Sequence, residues 1–147
     1  IWENSQEHYS RRIAKRICEA RRNGRIRTTQ QLVRIVCSVV GVSPESRREK
    51  IHPATRTFLA LRMVVNRELE NLKTLLSLAP KRLRTGGRLA VISFQSMEDR
   101  LVKQVFRSAE QAGFVTVLTP KPLSPSDPEA DRNPRSRSAK LRVVEKR

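Results

Sequence analysis

The chain has 147 residues, room for one domain with a true core or for one core plus a small appendage. Lysine and arginine number 31 against 14 acidic residues, giving +17, and the excess is positive in each third of the chain, which points to a polyanionic partner, nucleic acid first, more than to a single basic tail. Aromatic residues are scarce, with one Trp, one Tyr and four Phe, so a stacking platform for single strands is disfavoured and contacts to backbone and shape are favoured. No apolar run approaches the roughly 20 residues of a membrane span. No signal peptide precedes the first helix, so the expected location is cytoplasmic. The opening at Ile1, inside polar, helix-like sequence, reads as a fragment of a longer chain. Cys18 and Cys37 fall on apolar helix faces with no His or Cys at metal-ligand spacing; both are expected to be buried and reduced, and no metal is expected.

Residues 6 to 22 place Tyr9, Ile13, Ile17 and Ala20 at spacings of four, four and three, with Arg11, Arg12, Lys15, Arg16, Arg21 and Arg22 mostly elsewhere around the axis. This predicts an amphipathic, very basic helix stopping at Gly24. A second helix starts at Thr28, where Gln31 completes a capping box, and runs through Leu32, Val33, Ile35, Val36, Val39 and Val40 to Gly41. The pair resembles a helix-turn-helix in outline. Yet a recognition helix needs exposed polar side chains on its groove face, and this one carries Val, Ile and Leu at nearly every turn. A small helical subdomain with a basic outer face is the reading that remains.

Residues 43 to 52 are polar and read as a linker. Pro53 opens a helix in which Phe58, Leu61, Val65, Leu69, Leu72 and Leu76 form one apolar stripe, predicting a single long helix over 53–80 that ends or kinks at Pro80. Gly86 and Gly87 make a turn, and Leu89 to Ile92 is a continuous apolar run, which reads as an interior parallel strand over 88–93. Ser96 then caps a helix over 97–112, with Asp99 reaching back to it. Polar side chains cluster where this strand ends. In open α/β sheets ligands bind at that end, so Ser93, Gln95, Ser96, Glu98, Asp99 and Arg100 are the first candidates for chemistry.

Gly113 stops the helix. Residues 114 to 118 and 140 to 145 read as strands, the second with Leu141 and Val143 alternating against charges. Between them lies a loop of about twenty residues rich in Pro, Ser and Asp, long enough to be functional or disordered. Its end, NPRSRSAK from Asn133 to Lys140, offers Arg135, Arg137 and Lys140 with the hydroxyls of Ser136 and Ser138, a set suited to phosphate oxygens.

Four separated stretches, HPATRTFLALR (His52 to Arg62), GGRLAVISFQSMEDR (Gly86 to Arg100), Lys121-Pro122 and NPRSRSAKLRVVE (Asn133 to Glu145), resemble in order the carboxyl half of the bacterial ribosomal RNA small subunit methyltransferase H family. Residues 5 to 40 resemble its helical insertion. The resemblance implies an α/β fold, part of a class I, Rossmann-like methyltransferase sheet with a small all-helical subdomain, divided into 1–50 and 51–147. It implies S-adenosylmethionine as cofactor, methylation of the 4-amino group of a decoding-centre cytosine, and small-subunit rRNA or the small ribosomal subunit as partner. Arg56, Arg62, Asn133, Arg135, Ser136, Arg137, Ser138 and Lys140 are then the expected rRNA contacts. The family carries His where Gln95 stands, Leu where Met97 stands and Gln where Leu59 stands.

The glycine-rich cofactor loop and the acidic residue that binds the ribose have no counterpart here, since the paired glycines precede a strand and a cofactor loop follows one. The cofactor site is therefore expected on the half of the protein that this chain lacks, the chain alone is expected to be inactive, and one edge of the strand at 88–93 is expected to be bare. The other reading is a non-catalytic RNA- or ribosome-binding module that kept the substrate-facing half.

Overall fold

In the computed structural model residues 1–46 and 51–147 are described. The expected linker over 43–52 therefore lies partly outside the described residues. The chain divides into two compact units, Ile1–Glu68 and Leu69–Arg147.

The first unit is helical: α1 (Trp2–Ser5), α2 (Ser10–Arg22), α3 (Thr29–Val40) and α4 (Thr55–Val65). The basic helix is shorter than its periodicity suggests. Gln6 is left-handed at φ 53° and the Glu7 carboxylate accepts from the Tyr9 amide at 3.0 Å, so the chain turns before α2 begins. Helix α3 starts with the expected capping box: Thr28 Oγ1 accepts from the Gln31 amide at 3.2 Å and Gln31 Oε1 accepts from the Thr28 amide at 3.1 Å. It closes on left-handed Gly41. Ile13, Val36 and Ala54 form the core, and Ile17, Leu32, Val33, Val40 and Phe58 pack around them. Cys37 is buried as expected, and burial raises its thiol pKa. Cys18 is exposed instead. It lies about 100° around α2 from Ile17, far enough to leave the apolar side.

The single helix expected over 53–80 is two helices, α4 and α5 (Glu68–Arg82). Asn66 ends α4, and Arg67 follows in the left-handed region at φ 51°. The Glu68 carboxylate accepts from Arg62 at 2.7 and 3.0 Å and from Asn66 Nδ2 at 3.2 Å. The apolar stripe is thereby shared between two cores: Phe58 packs in the first unit, Leu72 and Leu76 in the second, and Val65 at the break is 79 % exposed. Pro80 stays inside the last turn of α5.

The second unit holds α5, β1 (Arg88–Ser93), α6 (Ser96–Gln111), β2 (Val115–Val117), α7 (Asp127–Arg132), a 3-10 turn over Pro134–Ser138, and β3 (Lys140–Lys146). It is a mixed helix and strand unit around a three-stranded sheet in the order β1, β3, β2, with both pairings antiparallel. The parallel, interior reading of β1 is therefore corrected. Leu89 and Val91 pack toward Leu76, Val102, Phe106, Val115 and Val144, while Ile92 on the opposite face is 60 % exposed. An unbroken apolar run serves one covered face and one open face. In β3 the expected face is also reversed: Arg142 and Val144 are buried, and Leu141 and Val143 are only half-buried. The loop expected between the last two strands contains α7 and the 3-10 turn, and Leu123 bridges back to Leu141.

The register lines up Ile92, Leu141 and Leu123 across the open face, with Leu123 57 % exposed. Among the described residues β1 has no partner on its outer edge. An apolar, unpaired edge strand templates association. The isolated chain should therefore self-associate, and Ile92→Lys should shift it toward monomer in analytical ultracentrifugation with the melting temperature little changed; a wild-type chain monomeric at all concentrations would contradict this.

Candidate functional site

The end of β1 and the start of α6 bring four of the six candidate side chains together. Ser93 closes the strand, buried to 5 % exposure and in register with Lys140. Gln95, not Ser96, is the residue that caps α6. Only the return half of a capping box forms, shifted by one position: Glu98 reaches back and its Oε2 accepts from the amides of Phe94 at 3.2 Å and Gln95 at 3.3 Å. Those orphan donors, together with the positive end of the helix, suit a carboxylate there. Ser96 is exposed as the first residue of the helix, and Gln95 Oε1 is buried with no hydrogen-bond partner among the described residues.

Asp99, expected to cap the helix, does something else. Arg142 Nε donates to its Oδ1 at 2.6 Å and Arg142 Nη2 donates to its Oδ2 at 3.2 Å, a two-pronged pair with side chains 6 % and 12 % exposed. Lys140 Nζ lies 3.6 Å from Asp99 Oδ2. Hydrogen bonds from Arg142 hold the Asp99 carboxyl below the usual carboxylate range against the opposing effect of burial. Sequence reasoning misses Arg142. Its signal is its place two residues before Val144, on the same strand face, which requires a partner for any charge there.

Arg100 is separate from this cluster. It lines a groove between α5 and α6 with Leu69, Glu70, Lys73, Met97, Leu101 and Gln104. The basic stretch before β3 is an ordered turn. Ser136 is buried, and its Oγ donates to the Asn133 carbonyl at 2.8 Å, so this hydroxyl fastens the turn in place of facing outward. Arg135, Arg137 and Ser138 are exposed around it, and Asn133 joins α7 to the turn. Lys140, half-buried, is drawn to Asp99. In the first unit Arg56 is exposed beside a cavity of about 370 Å³ that Glu7, Tyr9 and His52 also line. Arg62 is 54 % exposed, with its guanidinium engaged by Glu68. Among the described residues there is no cluster of His, Cys, Asp and Glu able to hold a metal ion, and no helix is long and apolar enough to cross a membrane.

The end of β1 and the start of α6 thus carry fixed polar groups, and an ordered arginine turn precedes the strand that pairs with β1. The model of the MraW methylase family matches residues 1–147, and the chain belongs to that family. It is similar to ribosomal RNA small subunit methyltransferase H of Acidobacterium capsulatum, 52 % identical over 147 residues covering 100 % of the chain and 48 % of the relative. The protein of the same name from a Synechococcus strain is 58 % identical over 139 residues, 95 % of the chain and 41 % of the relative. That from Persephonella marina is 46 % identical over 146 residues, 99 % and 49 %. The chain thus spans about half the length of the curated relatives it matches.

Removing one partner of a covered ion pair strands the other charge. Asp99→Asn should cost about 3 to 5 kcal/mol by denaturant unfolding, and Asp99→Leu with Arg142→Met should recover most of that loss. Because the folded carboxyl titrates below its unfolded value, its contribution is present above the ordinary carboxylate pKa and is lost as pH falls through the depressed folded value. The destabilisation by Asp99→Asn should accordingly be full at neutral pH and shrink in acid; a pH-independent difference would refute the assignment.

Proposed function

We propose that the chain is the rRNA-facing half of an S-adenosylmethionine-dependent methyltransferase acting on the 4-amino group of a cytosine in small-subunit rRNA. The observation that carries this reading is the identity to relatives named ribosomal RNA small subunit methyltransferase H over the whole length of the chain. The geometry supports it through two features. The arginine turn at Arg135 and Arg137 is exposed, while Ser136 fixes its backbone, which suits phosphate contacts that position an RNA. The end of β1 carries an orphaned acceptor, Gln95 Oε1, near fixed backbone donors, where an amine would find a hydrogen-bond partner. A cytosine amine is out of reach inside a duplex, so the base would be presented flipped or single-stranded.

The residues present do not form a cofactor site of the expected kind. Gly86 and Gly87 precede β1, no glycine lies between β1 and α6, and the two carboxylates in the first turn of α6 are committed, Glu98 to backbone amides and Asp99 to Arg142. S-adenosylmethionine would be held by the other half of the protein. That half would pair with the free edge of β1 and extend the sheet in Rossmann-like fashion, in cytoplasm. Within the chain, the division of 1–50 and 51–147 into insertion and methyltransferase parts belongs to the same proposal.

Three measurements test it. Calorimetry on the isolated chain should show no S-adenosylmethionine binding at micromolar cofactor, and the full-length protein should bind it. In the full-length protein Arg135→Ala with Arg137→Ala should weaken rRNA binding and lower the slope of log affinity on log salt by about one for each phosphate no longer neutralised. An unchanged affinity and slope in a folded variant would make the turn a mere connection. A full-length protein that binds rRNA yet transfers no methyl group would favour the non-catalytic module.

A further inference from the structure

Helix α2 carries a charge pattern that the site at β1 and α6 does not use. Its inner side is fixed by Ile13, fully buried, with Ile17 and Ala20 half-buried beside it. At about 100° per residue, Arg11, Lys15, Cys18 and Arg22, spaced four, three and four, fall on the diametrically opposite side. All four are exposed. Arg12 and Arg16 flank the stripe, and Arg25 and Arg27 continue it through the turn into α3, all exposed. From residue 10 to residue 27 the acidic residue is Glu19, which pairs with Arg16 at 3.3 Å. Arg11, Lys15 and Arg22 have no ion pair or hydrogen bond among the described residues.

We infer that the outer stripe of α2, Arg11, Lys15 and Arg22, is a second RNA-docking surface, which grips the phosphates of a helical segment of the substrate rRNA apart from the base being modified. The stripe is about 16 Å long at 1.5 Å per residue. A duplex presents a phosphate charge for about every 1.7 Å of axis, so a rigid row of this length meets several. A lipid surface fits less well, because a membrane helix offers its apolar side, and here that side is spent on the core. Reading of base edges is also disfavoured, since the stripe holds point charges and a thiol, with no amide side chain at a stripe position. The inference rests on the rRNA reading above and adds a footprint to it.

Cys18 gives the test an internal reporter, with buried Cys37 as the unreactive control. The full-length protein would be titrated with a small-subunit rRNA transcript across salt, in wild type, in Arg11→Gln/Lys15→Gln/Arg22→Gln, and in Arg11→Lys/Arg22→Lys, with melting curves for each. The triple variant should lose about 2.7 from the slope of log affinity on log salt, at about 0.9 per phosphate. The lysine variant should keep its slope, and bound rRNA should slow alkylation of Cys18 in wild type. A wild type that binds rRNA while the triple variant keeps its slope and Cys18 stays unprotected would overturn this inference and leave the proposed function standing. Protection of Cys18 by polyglutamate and not by rRNA would overturn it as well. A wild type with no rRNA affinity would overturn both.

Discussion

The second unit depends on the pair between Asp99 and Arg142. It joins the first turn of α6 to the middle strand of the sheet, 43 residues apart in sequence, with both side chains nearly covered. Desolvating two charges is costly, and the cost is offset because the guanidinium fork matches the carboxylate at both oxygens and Lys140 approaches from the wetter side. The pair also sets direction. Glu98, one residue earlier, is turned back onto the amides of Phe94 and Gln95, so consecutive carboxylates hold α6 to β3 and to the end of β1 at once. The polar groups at that end are therefore held in place by charge.

Local signals are legible where one stretch decides its own structure. The Thr28 and Gln31 box with Gly41 delimits α3, and the turn at Gly86 and Gly87 followed by Leu89 to Ile92 delimits β1. What escapes depends on partners far away in sequence. The apolar period from Phe58 to Leu76 is continuous whether the helix bends or not, and the break lies in Arg67 adopting a left-handed backbone beside Glu68. In β3 the alternation of Leu141 and Val143 against charges names the wrong face, because the covered Arg142 is tolerable only with Asp99 opposite. Helix α7 has a local signal after all: Ser126 at its cap, Pro128 in its first turn and Glu129 beside it.

Of the candidate site, the run of polar residues from Ser93 to Asp99 where β1 ends is plain in the sequence, yet the role of each carboxylate is not. Capping boxes are read by spacing, and both Gln95 with Glu98 and Ser96 with Asp99 have the right spacing. The choice between them falls to Arg142, which takes Asp99 and leaves Glu98 for the backbone. Similarly, Ser136 reads as a hydroxyl for phosphate but is used to close the turn, leaving Arg135 and Arg137 exposed around a fastened backbone.

Acids and bases are used unequally across the molecule. Glu7 and Glu110 accept from backbone amides, as Glu98 does, while Glu19, Glu68, Asp99 and Glu145 hold arginines. The net charge of +17 makes the field around the protein positive, although the exposed acids of α7, Asp127 and Asp131, line the same surface recess as Arg137. A net charge of +17 also repels itself within the folded chain. Added salt screens that repulsion and favours the compact state, while the same salt weakens phosphate binding through counterion release. The two effects have opposite signs, so a melting curve taken at each salt concentration separates release of the RNA from unfolding.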